Sequence, residues 1–409
     1  MKVIHFSTTD FGGAYKAAVR ISESMQKCGV DSKILLRTKT RDNTVGIEIF
    51  TNPIQKLVSK AKNLINLILS ENEVITDYLG TDVSKHPLVK DSDVIILHWV
   101  NSFISYKNVK QLLALGKPII WVMHDMWLFT GGCHYDLYCG QYTDKCSNCQ
   151  CVRSKWKQKI VSYNFNIKKE ILAESKLTLV MPSTWMLRCA NQSNITNQLE
   201  KCVIPNPIND KDFYKDDCKQ QFLKKHNLPE NTDIILFGAM DAIVNPYKGF
   251  HYLKESMQMA DKESWVLVVF GNGNNTGLEM KIGKINVIYL GMINEVSELN
   301  KIYNAADVFV APSKQENYAN SVLEAMSCGV PTVAFDIGGM PDLIAHKESG
   351  YLAEYGNTVD LLAGIDYCIE NKNRLSENAL LIRKECNSMP VIGEKYCKIC
   401  RNLLKNWEK

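Results

Sequence analysis

Short, β-branched apolar runs recur along the chain and alternate with segments typical of helices. Continuous apolar runs favour strands buried on both faces, and their alternation with helices indicates βαβ units and parallel sheets. The first set is KVIHF at 2–6, SKILL at 32–36, DVIILHW at 93–99, PIIWVMH at 118–124 and LTLVMPS at 177–183. The second is DIILFGA at 233–239, WVLVVFG at 265–271, NVIYLG at 286–291, DVFVAPS at 307–313 and PTVAFD at 331–336. An Asn-Pro-punctuated segment near 205–208 separates the sets, so we predict two doubly wound α/β domains that face each other across a cleft.

Length and composition narrow the class of protein further. A chain of 409 residues is too long for one ordinary domain, and a net charge of +4 is too weak to indicate nucleic-acid binding. The N-terminal segment does not resemble a signal peptide, and no apolar run reaches the roughly 18 residues of a membrane span. We therefore expect a cytoplasmic protein, in which the 14 cysteines are not a disulfide framework.

The segment KQENYANSVLEAMSCGVPTVAF at 314–335 holds the most informative polar residues. A strand should end before it, and SVLEAMSCG should form a helix with Asn320 or Ser321 as its N-cap. Parallel sheets place ligands at the carboxyl ends of their strands, and a helix N-terminus attracts anions. Glu316 and Glu324 would then flank an anion site formed by residues 320–322. Solvated charges on a loop and a helix are an equally good explanation of this pair.

Three further positions are suitable for a ligand site, but each of them is weaker evidence when taken alone. Gly12 and Gly13 join a strand to a helix, where glycine lets the backbone approach a ligand; an ordinary tight turn fits as well. Lys248 follows the first strand of the second set and could hold a phosphate, although surface lysines are common there. His124 ends a buried strand, where it could reach a ligand or could be a core histidine bonded to a nearby aspartate.

A cysteine-rich loop follows His124. Cys133, Cys139, Cys146 and Cys149 lie in a segment with little apolar content, so core packing does not explain them. In a reducing compartment, a structural zinc ion with four thiolate ligands is the simplest way to order such a loop. Free thiols or a redox pair are the alternative.

Segment 54–69, IQKLVSKAKNLINLIL, combines lysines with leucines and isoleucines at helical spacing. Lys56, Lys60 and Lys62 could place it on a membrane surface. The commoner structure with this pattern is a surface helix that buries Leu57, Leu64, Ile65 and Leu69 as a core stripe.

Together these motifs resemble the retaining glycosyltransferases of family 4, which have the GT-B fold. The most specific part is APSKQENYANSVLEAMSCGVPTVAFDIGGMPDLI at 311–344, which is similar to the family's E-x7-E donor motif with its trailing Gly-Gly-x-Pro. The resemblance also covers Gly12-Gly13, Lys248 and the segment HDMWLFTGGCHY with its cysteine cluster, which looks like a subgroup that assembles bacterial surface polysaccharides. It implies an acceptor-binding domain at 1–204, a nucleotide-sugar-binding domain at 205–388, and a C-terminal helix at 389–409 that packs back on the first.

The resemblance also implies roles for individual residues. Glu316 would contact the donor sugar, Glu324 the ribose hydroxyls and Lys248 the phosphates. The backbone of Asn320, Ser321 and Val322 would bind the diphosphate, with Gly12 and Gly13 beside the donor, and His124 would lie beside the reacting sugar. One departure concerns the Arg that usually follows the first strand of the second domain. Ala239 and Met240 stand there, so Lys248 would carry more of the diphosphate charge.

We therefore expect a metal-independent glycosyltransferase that moves a hexose-type sugar from a nucleotide diphosphate sugar to a saccharide or lipid-linked saccharide acceptor. It would lie in the cytoplasm, with peripheral contact to the inner membrane surface and no nucleic-acid partner. The alternatives are another GT-B-like enzyme, such as a nucleotide-sugar epimerase or a phosphorylase, and a non-enzymatic zinc-organised scaffold.

Overall fold

The computed structural model describes residues 1–50, 52–72, 74–173, 175–271 and 280–407. The chain forms two compact units, one of Met1–Pro207 with Met389–Lys409 and one of Ile208–Ser388. The boundaries between the two units fall after residues 207 and 388. Residues 408 and 409 of the expected C-terminal helix lie outside the described part.

The first unit contains a parallel sheet that has seven strands among the described residues, in the order β3-β2-β1-β4-β5-β6-β7. The strands are β1 (Lys2–Ser7), β2 (Asp31–Leu36), β3 (Ile47–Glu48), β4 (Val94–Leu97), β5 (Ile119–Val122), β6 (Thr178–Met181) and β7 (Glu200–Val203). Strands β4, β5 and β6 are buried along their whole length, as continuous apolar runs require. Strands β3 and β7 lack such runs and were not predicted.

Helices join these strands and cover the sheet. They are α1 (Gly13–Lys27), α2 (Pro53–Leu69), α3 (Pro87–Asp91), α4 (Tyr106–Leu113), α5 (Lys155–Leu172) and α6 (Thr184–Gln192). The predicted core stripe of α2 is wrong: Leu57, Leu64 and Ile65 are exposed and Leu69 is only partly buried, while the polar Ser59 and Asn66 are buried. Among the described residues, no helix combines the length and apolar character needed to cross a membrane.

The second unit has its own sheet, again with seven strands in the described part, in the order β10-β11-β9-β8-β12-β13-β14. The strands are β8 (Asp233–Gly238), β9 (Trp265–Phe270), β10 (Lys281–Ile282), β11 (Ile285–Gly291), β12 (Val308–Ala311), β13 (Thr332–Phe335) and β14 (Gly350–Ala353). Only β10 pairs antiparallel within this described sheet. The predicted α/β class, with two doubly wound sheets, is confirmed.

The remaining helices are α7 (Lys219–Lys225), α8 (Phe250–Met259), α9 (Val296–Ala305), α10 (Asn320–Ser327), α11 (Met340–Leu343), α12 (Thr358–Glu370), α13 (Lys372–Asn387) and α14 (Met389–Trp407). The last of them belongs to the first unit. Its apolar face, with Ile392, Tyr396 and Cys400, joins Ile21 and Met25 of α1 in one buried cluster. The end of the chain therefore completes the core of the N-terminal domain.

Candidate functional site

An ion pair stands at the carboxyl edge of the second sheet. Lys248 ends a 3₁₀ turn, Pro246–Lys248, in the connection after β8, and Glu316 lies in the loop that follows β12. The Lys248 ammonium is 2.8 Å from the Glu316 carboxylate, and the two side chains are 30% and 13% exposed. Because β8 and β12 are neighbours in a parallel sheet, their carboxyl ends bring both residues to the same place.

Glycines hold this pair in position by close backbone contact. A Cβ at Gly249, whose φ is 72°, would collide with the carbonyl oxygen of Pro312. A Cβ at Gly338, whose φ is 54°, would collide with the carbonyl oxygen of Glu316, to which Gly339 N donates a hydrogen bond at 3.0 Å. The Gly-Gly pair of the motif thus supports the backbone of Glu316, and only glycine fits at Gly338 without strain.

Helix α10 begins directly after the loop of Glu316. The sequence predicts Asn320 or Ser321 as its N-cap, but this is wrong: the N-cap is Ala319, whose side chain makes no capping hydrogen bond. Asn320 and Ser321 are helical and half-buried, and Val322 is fully buried. The N-terminus of α10 brings backbone N–H groups and the positive end of the helix dipole to this edge of the sheet, where they suit an anion.

Glu324 lies one turn inside α10 and is buried. Only 2% of the residue is exposed, and the Tyr303 hydroxyl donates to its carboxylate at 3.3 Å. Glu324 is therefore not a solvated charge on a helix surface, which was one explanation of the sequence. A buried carboxylate is costly without partners, so its place here calls for a structural or ligand-binding reason.

The loop after β8 contains the position where the resemblance leads us to expect Arg. Met240 is about half exposed, and Asp241 N donates to Gly271 O at 2.9 Å. A Cβ at Gly271 would collide with the carbonyl oxygen of Ala239, so the loop is tied closely to the end of β9. Lys248 is thus the cation that the structure places beside Glu316 at this edge.

The glycine pair of the first unit opens α1. Gly12 is the N-cap with a φ of 87°, and no other group approaches the position of its missing Cβ. Asp10, two residues earlier, accepts hydrogen bonds from Thr40 and Thr44 and from the amide of Arg41. Burial works to raise the pKa of Asp10, but these hydrogen bonds prevail and lower it. An ionised Asp10 therefore fixes the loop beside the glycine turn.

His124 is the end of a row of three histidines. His5 Nδ1 lies 2.9 Å from His98 Nε2, and His98 Nδ1 lies 2.9 Å from His124 Nε2, with adjacent rings stacked. Burial lowers the pKa of His5 to about 3 and that of His124 to about 4, and it places that of His98 well below its usual value. The row is therefore neutral near pH 7, and His124 is bonded to a second histidine as well as lying beside Asp125 in the sequence.

The sequence prediction missed His5 and His98, although a signal for them exists. The runs VIHF, ILHW and VMHD each place a histidine at or near the end of a buried strand. These strands, β1, β4 and β5, are consecutive in the sheet. Three histidines at similar positions on adjacent parallel strands must lie side by side, so the strand order, once known, predicts the row.

Charged residues also organise the loop that follows His124. Asp125 accepts a hydrogen bond from Trp127 N at 2.9 Å and pairs with His134 Nδ1 at 2.6 Å. The fully buried Lys168 of α5 donates to the carbonyl oxygens of Trp127 at 2.6 Å and Thr130 at 3.1 Å. Burial lowers the pKa of Lys168 to about 7. Helix α5 thus holds the turn after His124 through one side chain.

The structure does not support the predicted zinc site. Cys133, Cys139 and Cys149 line a pocket of about 250 Å³, but Cys133 and Cys149 form a hydrogen bond with each other. Cys146 instead accepts from the amide of Gly131 at 3.3 Å. Within the described ranges, no three His, Cys, Asp or Glu side chains are arranged to hold a metal ion. The thiols thus bond to one another and to the backbone, and a zinc ion at these cysteines stays a prediction.

Comparisons with known proteins match part of the chain to a family model and to curated relatives. Residues 231–371, within the second unit, match the family model Glyco_trans_1_4, described as glycosyl transferases group 1. An uncharacterised glycosyltransferase of Haemophilus influenzae is 28% identical over 40% of this chain and 48% of its own length. An N,N'-diacetylbacillosaminyl-diphospho-undecaprenol alpha-1,3-N-acetylgalactosaminyltransferase of Campylobacter jejuni is 28% identical over 50% of this chain and 55% of its own. The chain spans about half the length of these curated relatives.

Solved structures match the whole chain. Sucrose-phosphate synthase from Thermosynechococcus elongatus superposes with a TM-score of 0.71 at 16% identity, covering 99% of both chains. Anabaena HepE in complex with UDP-glucose has a TM-score of 0.67 at 14% identity, covering 98% of this chain and all of that one. These likenesses show the GT-B fold.

Proposed function

We propose that the chain is a retaining glycosyltransferase of family 4. It moves a hexose-type sugar from a nucleotide diphosphate sugar to a saccharide or lipid-linked saccharide acceptor in the synthesis of a bacterial surface polysaccharide. The observation that carries this proposal is the Lys248–Glu316 pair at 2.8 Å beside the start of α10. A cation and a helix N-terminus suit a diphosphate, and a carboxylate next to them suits sugar hydroxyls.

In this proposal the reaction keeps the configuration at the anomeric carbon. The bond between that carbon and the diphosphate oxygen breaks, and its electron pair stays on the diphosphate. The acceptor hydroxyl attacks from the same face and gives its proton to the leaving phosphate oxygen. Lys248 and the amides of Asn320, Ser321 and Val322 stabilise the charge that grows on the diphosphate. No step needs a metal, so we expect transfer to continue in the presence of a chelator.

The other residues bind and orient the substrates. Glu316 holds the donor sugar and stabilises positive charge at its anomeric carbon, while Glu324 binds the ribose hydroxyls. Gly12 and Gly13 offer a backbone surface without side chains to the donor. His124 lies beside the reacting sugar, where the neutral ring donates or accepts a hydrogen bond. A UDP-sugar is the first donor to test, because HepE was solved in complex with UDP-glucose.

The test compares Glu316→Gln with wild type in transfer from UDP-, GDP- and dTDP-sugars. Glutamine keeps the shape of the side chain but removes its charge, so we expect kcat/KM to fall about 10²-fold or more. Binding of the nucleoside diphosphate, followed by thermal shift, should persist because Lys248 and the α10 amides are intact.

Glu348→Gln is the matched control, since Glu348 is an exposed carboxylate of the same unit. Undiminished transfer by Glu316→Gln would remove Glu316 from the chemistry. Conversion of the donor sugar with no acceptor present would instead identify an epimerase.

A further inference from the structure

Helix α2 turns its polar side toward the protein. Ser59 and Asn66 are its buried residues, and both are bonded to the body of the unit. Arg37 Nε donates to Ser59 Oγ at 3.0 Å, while Asn66 exchanges two hydrogen bonds with the backbone of Leu79, at 2.7 and 3.0 Å. Polar contacts therefore anchor this helix, whereas an ordinary amphipathic helix is anchored by its apolar stripe.

The opposite side of α2 is apolar and exposed. Six large side chains recur there at intervals of three and four residues, which places them on one face. They are Ile54, Leu57, Val58, Leu64, Ile65 and Ile68, with 45–70% of each residue exposed. Contiguous apolar surface of this kind on a helix marks an interaction site, because a protein without a partner for it would bury or lose it.

The charges on the helix decide which partner suits this face. The helix contains Lys56, Lys60 and Lys62 and no acidic residue, although Lys56 pairs with Glu48 at 2.8 Å and Lys62 donates to the carbonyl oxygen of Gly80 at 2.8 Å. At about 100° per residue, Lys60 and Lys62 fall on opposite borders of the apolar face. Lys60 is exposed, and a lysine at such a border reaches with its ammonium group toward anionic headgroups while the apolar side chains enter the lipid. A second copy of the same helix would bring lysines against lysines, so it fits less well.

We propose that α2 lies on an anionic lipid bilayer and is the surface by which the protein binds a membrane. The apolar face enters the boundary between headgroups and acyl chains, and the exposed Lys60 contacts the headgroups. This inference rests on the proposed function in one respect only: the proposed function explains why membrane binding would be useful, which is to bring the enzyme to a lipid-linked acceptor. The binding itself follows from the arrangement of α2.

The experiment is co-sedimentation of the full chain with vesicles of equal parts phosphatidylglycerol and phosphatidylcholine, without donor or acceptor. We expect the protein to bind, to bind less at high salt, and to bind vesicles of phosphatidylcholine alone more weakly. Leu57→Gln combined with Leu64→Gln should weaken binding at least tenfold, because two large apolar side chains no longer enter the lipid. Both residues are exposed, so the variant should keep the wild-type unfolding temperature.

The control is Val359→Gln combined with Leu381→Gln, two apolar residues of similar exposure in the other unit, which should bind like wild type. The inference is overturned if wild type does not sediment, or if the α2 variant sediments as well as wild type. It is also overturned if wild type is a dimer that the α2 substitutions dissociate without any binding to vesicles, since a second copy would then cover the face. Transfer to a soluble acceptor does not depend on these outcomes, so it tests the enzymatic proposal separately.

Discussion

At the scale of single residues, the hydrogen bonds between His5, His98 and His124 determine which ring nitrogen of each histidine carries the proton. The Nε2 of His5 is fully buried and has no hydrogen-bond partner. A buried N–H without an acceptor is rarer and costlier than an unused lone pair, so the proton of His5 belongs on Nδ1. It then donates to His98 Nε2, and His98 in turn donates from Nδ1 to His124 Nε2. His124 must therefore carry its proton on Nδ1.

This tautomer can be measured by ¹⁵N NMR of histidine-labelled protein. From about pH 5.5 to about pH 8, we expect His98 and His124 to be neutral, with protonated Nδ1 and unprotonated Nε2, because burial lowers the pKa of His124 to about 4. His98→Phe should release His124 into a mixture of tautomers, whereas His251→Phe, at an exposed position of the other unit, should not. A proton on Nε2 of His124 in the wild type would contradict the inferred direction of the row.

At the scale of elements, the sequence predicts buried structure better than exposed structure. Apolar runs located ten strands, because burial on both faces leaves a continuous pattern. For α2, the same periodicity is compatible with an apolar face turned inward or outward. The hydrogen bonds of Ser59 and Asn66, which decide the direction, join residues far apart in the chain. The position of Glu316 and Lys248 follows from strand order, but their 2.8 Å contact depends on the glycine-supported loops.

The buried Lys168 of α5 leads to a prediction about how the stability of the protein depends on pH. Its pKa falls from the usual 10.5 to about 7 in the folded protein, so between those values the unfolded chain binds a proton that the folded chain lacks. This group therefore makes the free energy of unfolding rise as the pH increases above about 7. Below about pH 7, the folded protein bears the full cost of burying the charged ammonium group of Lys168. We expect the unfolding temperature of wild type, relative to Lys168→Met, to increase from about pH 6.5 to about pH 8.5.

The exposed Lys159 of the same helix supplies the control, since Lys159→Met should keep the wild-type pH dependence. Parallel curves for wild type and Lys168→Met would show that Lys168 keeps an ordinary pKa in the folded protein. The Met variant also leaves the carbonyl oxygens of Trp127 and Thr130 without their donor, a cost that opposes the burial cost which the substitution removes.

At the scale of the whole molecule, the ends of the chain meet in one unit. Helix α14 follows the second unit in sequence, yet it packs against α1 in the core of the first. Gly393 makes this possible, because a Cβ there would collide with the carbonyl oxygen of Ser24. The glycine inside a helix is unfavourable for the helix alone, so its reason is the close approach of the two backbones.

Gly393→Val should therefore destabilise the first unit and leave the stability of the second unit unchanged. Forcing α14 away from α1 is an overpacking change, for which we expect a loss of about 1–3 kcal/mol in the free energy of unfolding of the first unit. Hydrogen exchange followed by mass spectrometry should show lost protection in α1, β1 and α14, with unchanged protection in residues 208–388. Lys395→Ala, at an exposed position of α14, should leave both units unchanged. Equal loss of protection in both units would mean that they unfold as one body, and the helix would then stabilise the whole chain.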